Sequence, residues 1–136
     1  LRKMFASLFY VEINKGNNTI EMVNAGHLPA YILRDNQIKE TPHGETALGL
    51  IKNANYSVFK EEFKEGNIVV IYSDGITDAK NSAGEFYGNE KMKSVMLQNK
   101  ELSAKALGEK ILENIFQFTG QTRQNDDISI IVMKKM

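Results

Sequence analysis

The run Ile68-Val69-Val70-Ile71 leaves few structural readings open: it is apolar and β-branched throughout, follows a Gly66-Asn67 turn pair, and suits a strand buried on both faces. Such a strand belongs at the centre of a sheet. Tyr72-Ser73-Asp74-Gly75 follows directly, and a second apolar run, Ile128 to Met133, is preceded by Asn125-Asp126-Asp127. Each acidic turn therefore places a carboxylate at the end of a strand. Two such strands lying side by side would bring the acids together.

Neighbouring carboxylates repel and are costly to desolvate, so acids converging on a buried sheet end require compensating charge. Mg²⁺ or Mn²⁺ supplies it with oxygen ligands at about 2.0–2.1 Å, and Mg²⁺ typically uses only one or two protein carboxylates, which leaves room for a phosphate oxygen. The same residues also suit plain turns, because Asp-Gly and Asp-Asp are frequent in solvated loops.

At 136 residues and 42% hydrophobic, the chain suits one domain, 1–136, with a single core. Seventeen basic residues balance seventeen acidic ones, and no Lys/Arg stripe extends beyond the Met133-Lys134-Lys135-Met136 tail. Electrostatic binding to nucleic acid or to an anionic membrane is thereby disfavoured. No apolar run reaches the 18 or more residues of a membrane span, so direct membrane insertion by this domain is not expected. The absence of cysteine excludes a thiolate nucleophile and fits a reducing compartment, with cytoplasm as the default. The chain opens on Leu1, not Met, and reads as a fragment of something longer.

Strand signals dominate the first half and helix signals the second. Ala6 to Asn14 and Thr19 to Asn24 flank a Lys15-Gly16-Asn17-Asn18 turn, which predicts a hairpin. Strands are expected at Ala30 to Leu33, around Ile38, and through Tyr56 and Val58 toward Phe63. Asn89 to Leu97 places Met92, Val95 and Met96 at helical spacing. A second helix is expected from an N-cap at Ser103 to about Thr119, with Gly120 as its stop and Ala104, Leu107, Ile111, Ile115 and Phe118 on one stripe.

In order, these pieces carry Ala25-Gly26-His27-Leu28-Pro29 with Arg34, Ala47-Leu48-Gly49, Glu65 to Ala79, Gly84-Glu85-Phe86-Tyr87-Gly88 and Asn125 to Ser129. Each motif is short, but five in order over residues 4 to 134 resemble the stage II sporulation protein E type phosphatases, the bacterial branch of the metal-dependent protein phosphatase (protein phosphatase 2C) family. The resemblance implies an α+β fold, an α/β/β/α sandwich of mainly antiparallel sheets with packed helices, here with its N-terminal part missing. It implies dephosphorylation of phosphoserine or phosphothreonine on a regulatory protein, typically an anti-sigma factor antagonist, and leaves room for a homodimer formed through the parent protein.

The resemblance also assigns roles. Asp74 and Asp126 match metal-ligating aspartates, and Asp78 matches an acid at a weaker, third metal position. Gly75 is expected to allow the tight turn that exposes Asp74, Asp127 to support from the opposite strand face, and His27 to serve either the site or its turn. His43, outside every motif, reads as a solvated loop residue. Two Mn²⁺ or Mg²⁺ ions, expected in the complete domain, would activate water for in-line attack without a covalent phosphoenzyme.

Two departures from the family pattern stand out. The Gly-Asp pair whose aspartate bridges both metals has no counterpart and would lie before Leu1, so the chain alone is expected to bind metal weakly and turn over poorly. Asn67 stands where relatives often carry Asp, a change with the same turn chemistry. A catalytically inactive pseudophosphatase or phosphoprotein-binding module, or a structural domain whose acids only shape turns, remains a competing reading.

Overall fold

The computed structural model describes residues 4–124 and 126–136; Leu1 and Asn125 of the sequence reading lie outside the described residues. The chain folds into two antiparallel sheets with helices packed on one of them. The hairpin is present as β1 (Leu8–Asn14) and β2 (Thr19–Ala25), paired Asn14 to Thr19 at the turn and Leu8 to Ala25 at the open end. With β5 (Phe59–Glu62) they form a three-stranded sheet in the order β1-β2-β5. The second sheet runs β4-β3-β6-β7, from β3 (Tyr31–Arg34), β4 (Gln37–Glu40), β6 (Ile68–Tyr72) and β7 (Ile130–Lys134).

All five residues of β6 are buried, and the period of two explains why. Ile68, Val70 and Tyr72 enter one core with Tyr31 and Leu33 of β3 and with the helices; Val69 and Ile71 enter the other with Ile32, Ile20 and Met22. The second core fills the space between the sheets, so β6 lies between two apolar layers. Burying each such aliphatic side chain is worth about 1.5–3 kcal/mol, which makes this strand the axis of the fold.

Helices α2 (Gly88–Gln98) and α3 (Ala104–Thr119) cover the outer face of the four-stranded sheet through Met92, Val95, Met96, Leu107, Ile111 and Ile115. The cap of α3 is as expected: the Ala106 N–H donates to Ser103 Oγ at 3.2 Å, and Gly120 closes the helix with φ +57°. The α+β sandwich is thus present, and the described residues supply helices on one sheet only. Beyond shifts of one or two residues at strand ends, the structure departs from the sequence reading in β5, in β7 and in one added helix. β5 begins at Phe59, not near Tyr56, because its inward residues are Phe59 and Glu61 and Val58 is exposed. β7 begins at Ile130, not Ile128, because the backbone just before it is bonded to Ser73. A short helix, α1 (Asp74–Thr77), which the sequence did not announce, follows β6 at once.

Polar groups tie the sheets together. Arg34 on β3 donates to Glu61 on β5 at 2.8 Å and Lys39 on β4 also donates to it, joining the two sheets across their edges. Hydrogen bonding from Lys39 is the first cause that holds the Glu61 carboxyl below its usual range, with Arg34 adding to it against partial desolvation. Asn67 is buried in the turn before β6, where its Oδ1 accepts from the Lys64 N–H at 2.9 Å, so Asn serves the turn as expected.

A depressed carboxylate stabilises the fold above its unfolded pKa, and that contribution disappears as pH falls through the folded value. Replacement Glu61→Gln is therefore expected to destabilise the protein by about 1–2 kcal/mol near neutral pH. The difference from wild type should shrink progressively as pH falls below the ordinary Glu range of about 4.3. Thermal melts of both proteins between neutral pH and the acid range check this; a gap that does not change with pH would show that the ion pairs contribute nothing.

Candidate metal centre

β6 and β7 pair antiparallel from Ile68 with Lys134 to Tyr72 with Ile130, so the turn after β6 and the turn before β7 emerge at the same end of the sheet. Ser73 joins them. Its N–H donates to the Ser129 carbonyl at 3.0 Å, its Oγ donates to the Asp127 carbonyl at 3.1 Å, and the same Oγ accepts from the Ser129 N–H at 2.9 Å. The hydroxyl is thereby committed across the strands and does not cap α1, whose N-cap position it occupies.

Gly75 completes the junction for a reason different from the expected one. It is helical and not among the residues with positive φ. A Cβ at this position would stand 2.1 Å from the Asp127 carbonyl oxygen and 3.4 Å from that of Asp126, so only glycine lets the two acidic turns approach this closely. The required property is absence of a side chain and not turn freedom.

Asp74 opens α1, exposed, with its carbonyl accepting from the Asp78 N–H at 2.8 Å. One turn later Asp78, also exposed, lines a cavity together with Asp126, Gly75 and Lys80. Asp126 Oδ1 accepts from the Asp127 N–H at 2.8 Å, which fixes its side chain against its own turn, and the Gln124 side-chain amide donates to the Asp126 carbonyl. Asp127 contributes its backbone, the carbonyl to Ser73 and the N–H to Asp126.

His27 sits at the same sheet end, because β3 enters its pairing with β6 at Tyr31 opposite Val70, next to the end where Asp74 emerges. Its groups are engaged locally: the N–H donates to Asn24 Oδ1 at 2.8 Å, Nδ1 lies 3.0 Å from the Leu28 carbonyl, and the ring meets Phe9 edge-on at 5.8 Å. These contacts describe a histidine that shapes a turn. His43 lies in the exposed loop after β4, on the wall of a separate cavity.

The donors gathered here are carboxylates and carbonyls, the chemistry of a hard divalent cation, and the chain has no cysteine to supply a thiolate. Among the described residues no three carboxylate or imidazole groups form one ligand cluster. That is fewer ligands than a cage built wholly from protein, yet it fits Mg²⁺ or Mn²⁺ sites that retain water on one or two carboxylates. Sequence reading missed Ser73, Lys80, Arg123 and Gln124; only Ser73, beside Asp74, carried a local hint.

The sequence model of the family described as Stage II sporulation protein E matches residues 1–135. Protein IcfG of Synechocystis sp. is 28% identical over 131 residues, covering 96% of this chain and 20% of that protein. Phosphoserine phosphatase RsbU of Bacillus subtilis is 23% identical over 134 residues, covering 97% and 39%. The SiaA-PP2C domain of Pseudomonas aeruginosa superposes with a TM-score of 0.84 at 16% identity, over 98% of this chain and 53% of that one. The manganese-presoaked phosphatase domain of the cell fate determinant SpoIIE from Bacillus subtilis gives 0.72 at 20% identity, over 95% and 56%. The shared architecture is that of these phosphatase domains, and the chain spans well under half the length of the curated relatives it matches.

Gly75→Ala tests the junction. Its methyl group must displace the Asp127 backbone, so the variant is expected to lose about 1–3 kcal/mol of stability, the range for overpacking, while Gly66→Ala, with nothing within 4 Å of the added carbon but a φ of +81°, should cost only its backbone strain. Urea titration compares them, and equal stability of wild type and Gly75→Ala would show that the turns do not press together.

Proposed function

The chain belongs to the stage II sporulation protein E family, and we propose that the protein carrying it is a metal-dependent protein phosphatase acting on phosphoserine or phosphothreonine. The observation that carries this reading is the locking of two acidic turns at one end of the paired strands β6 and β7 through Ser73 and Gly75. A relative named a phosphoserine phosphatase supports it, as does a relative's phosphatase domain soaked with manganese. The proposed substrate is a phosphorylated regulatory protein of sigma-factor control, an anti-sigma factor antagonist, and the proposed location is the cytoplasm. No described helix is long and apolar enough to cross a membrane.

In this reading Asp74 and Asp126 hold the principal cations, Mn²⁺ or Mg²⁺, and Asp78 holds a weaker one. When bound, a divalent pair makes water nucleophilic near neutral pH and screens the charge of the phosphoryl oxygens. The protein's own part is positional. Ser73 and the Asp127 backbone keep the two acidic turns at a fixed separation, and Asp126 is oriented by the Asp127 N–H. The family's bridging aspartate is not among these 136 residues, so the chain by itself is assigned weak metal binding and slow turnover. The absence of a three-ligand cluster among the described residues favours one alternative, a pseudophosphatase or phosphoprotein-binding module in the same signalling class.

In the full-length protein, Asp74→Asn and Asp126→Asn remove the charge that balances the cation and should lower kcat/KM by at least about 100-fold, equivalent to the several kcal/mol a metal supplies to the transition state. Melting temperature should be unchanged or slightly raised, because a like charge is removed from the apo site. Asp78→Asn should retain a substantial share of activity. Hydrolysis of a phosphoserine protein against Mn²⁺ concentration provides the measurement. Near-parental turnover by folded Asp74→Asn would refute the metal assignment, and no turnover by the wild type would favour the binding module.

A further inference from the structure

Beside the acidic turns lies a cavity of about 130 Å³ between α1, α3 and the loop that joins α3 to β7. Ala79, Ile115, Phe116 and Ile128 give it an apolar lining, and Lys80 and Arg123 add positive charge. A water occupies about 30 Å³ and ligand pockets for whole small molecules run to about 300–1,000 Å³. The space therefore suits one side chain, too large for a lone water and too small for a nucleotide.

We propose that this cavity receives the side chain of the residue adjacent to phosphoserine in the protein substrate and selects an apolar one. The inference rests on the phosphatase reading and extends it. Asp78 and Asp126 belong to both the acidic site and the cavity wall, so a phosphoryl group held at the acids leaves its neighbour within one residue's reach, about 3.3–3.6 Å along an extended chain. Phe116 is 54% exposed although it is a large aromatic on a helix whose Leu107, Ile111 and Ile115 are fully buried, which leaves its ring available at this cavity. The charge also matches. A phosphorylated segment carries about −1.5 to −2, and Arg123 and Lys80 face that segment with positive charge. Lys80 is held over the Phe86 ring with its ammonium 4.6 Å from the centroid.

The test uses the full-length protein with Mn²⁺ and phosphoserine peptides that differ only in carrying leucine or glycine immediately before or after the phosphoserine, with p-nitrophenyl phosphate as a substrate too small to reach the cavity. Wild type is expected to prefer leucine on one side by about tenfold or more in kcat/KM, expressed in KM, the scale of apolar pocket selectivity. Phe116→Ala, which removes the ring, and Thr122→Trp, which fills the space from another position on the cavity wall, should each bring the leucine-to-glycine ratio toward one, every peptide rate being divided by the same variant's p-nitrophenyl phosphate rate. Hydrolysis of p-nitrophenyl phosphate by wild type without leucine preference on either side overturns the pocket and leaves the phosphatase reading standing. A leucine preference that survives both variants overturns the assignment to this cavity. Absence of hydrolysis of every substrate removes the phosphatase reading, and the pocket with it.

Discussion

The cross-strand hydrogen bonding of Ser73 is the contact on which the site depends. One residue past the last β6 partner, it bonds to Ser129 through its backbone and to both Asp127 and Ser129 through its hydroxyl. Its authority derives from β6 itself. A one-residue slip of a strand exchanges its two faces, and β6 buries one face against the helices and the other against the second sheet. Either face would then present the wrong side-chain shapes to a packed layer. The register of β6 with β7 is thus fixed by two cores, and Ser73 transmits that register into the turns.

Once register is fixed, the spacing of the acidic turns is set by backbone contact and not by side-chain charge. Gly75 packs directly on the Asp127 carbonyl, and the Asp127 N–H orients Asp126. The separation of the turns rests on the neutral hydrogen bonds of Ser73 and on one missing Cβ, while the bond to Asp126 aims a carboxylate within its own turn.

Features governed by local chemistry were legible in the sequence. The buried run of β6, the hairpin with its Gly16-Asn17-Asn18 turn, and α3 with its Ser103 cap and Gly120 stop all follow from period, turn residues and caps within a few positions. Features decided by distant partners were not. α1 escaped notice because Ser73 resembles a helix cap but spends its hydroxyl on β7, and β7 starts late for the same reason. The close approach of Gly75 to the Asp127 carbonyl lies outside what the sequence can tell, since nothing near it in sequence reveals that partner. The cavity draws its lining from α1, α3 and the following loop, segments that only tertiary packing assembles.

The distribution of ion pairs separates the acids by role. Among the described residues every acid in an ion pair is a glutamate, Glu21, Glu40, Glu61, Glu62, Glu90, Glu101, Glu109 and Glu113, drawn from strands, helix surfaces and the turn between α2 and α3. Glutamate's longer stem suits such surface pairing, which contributes about 0–1 kcal/mol per exposed pair. The aspartates at the end of β6 and before β7 take none of these partners, although Lys80 and Arg123 line the same cavity as Asp78 and Asp126. Asp126 instead accepts on Oδ1 from the Asp127 N–H of its own turn. Under the proposed function their charge is what an external cation would balance, a role that a merely turn-forming pair of acids would not need.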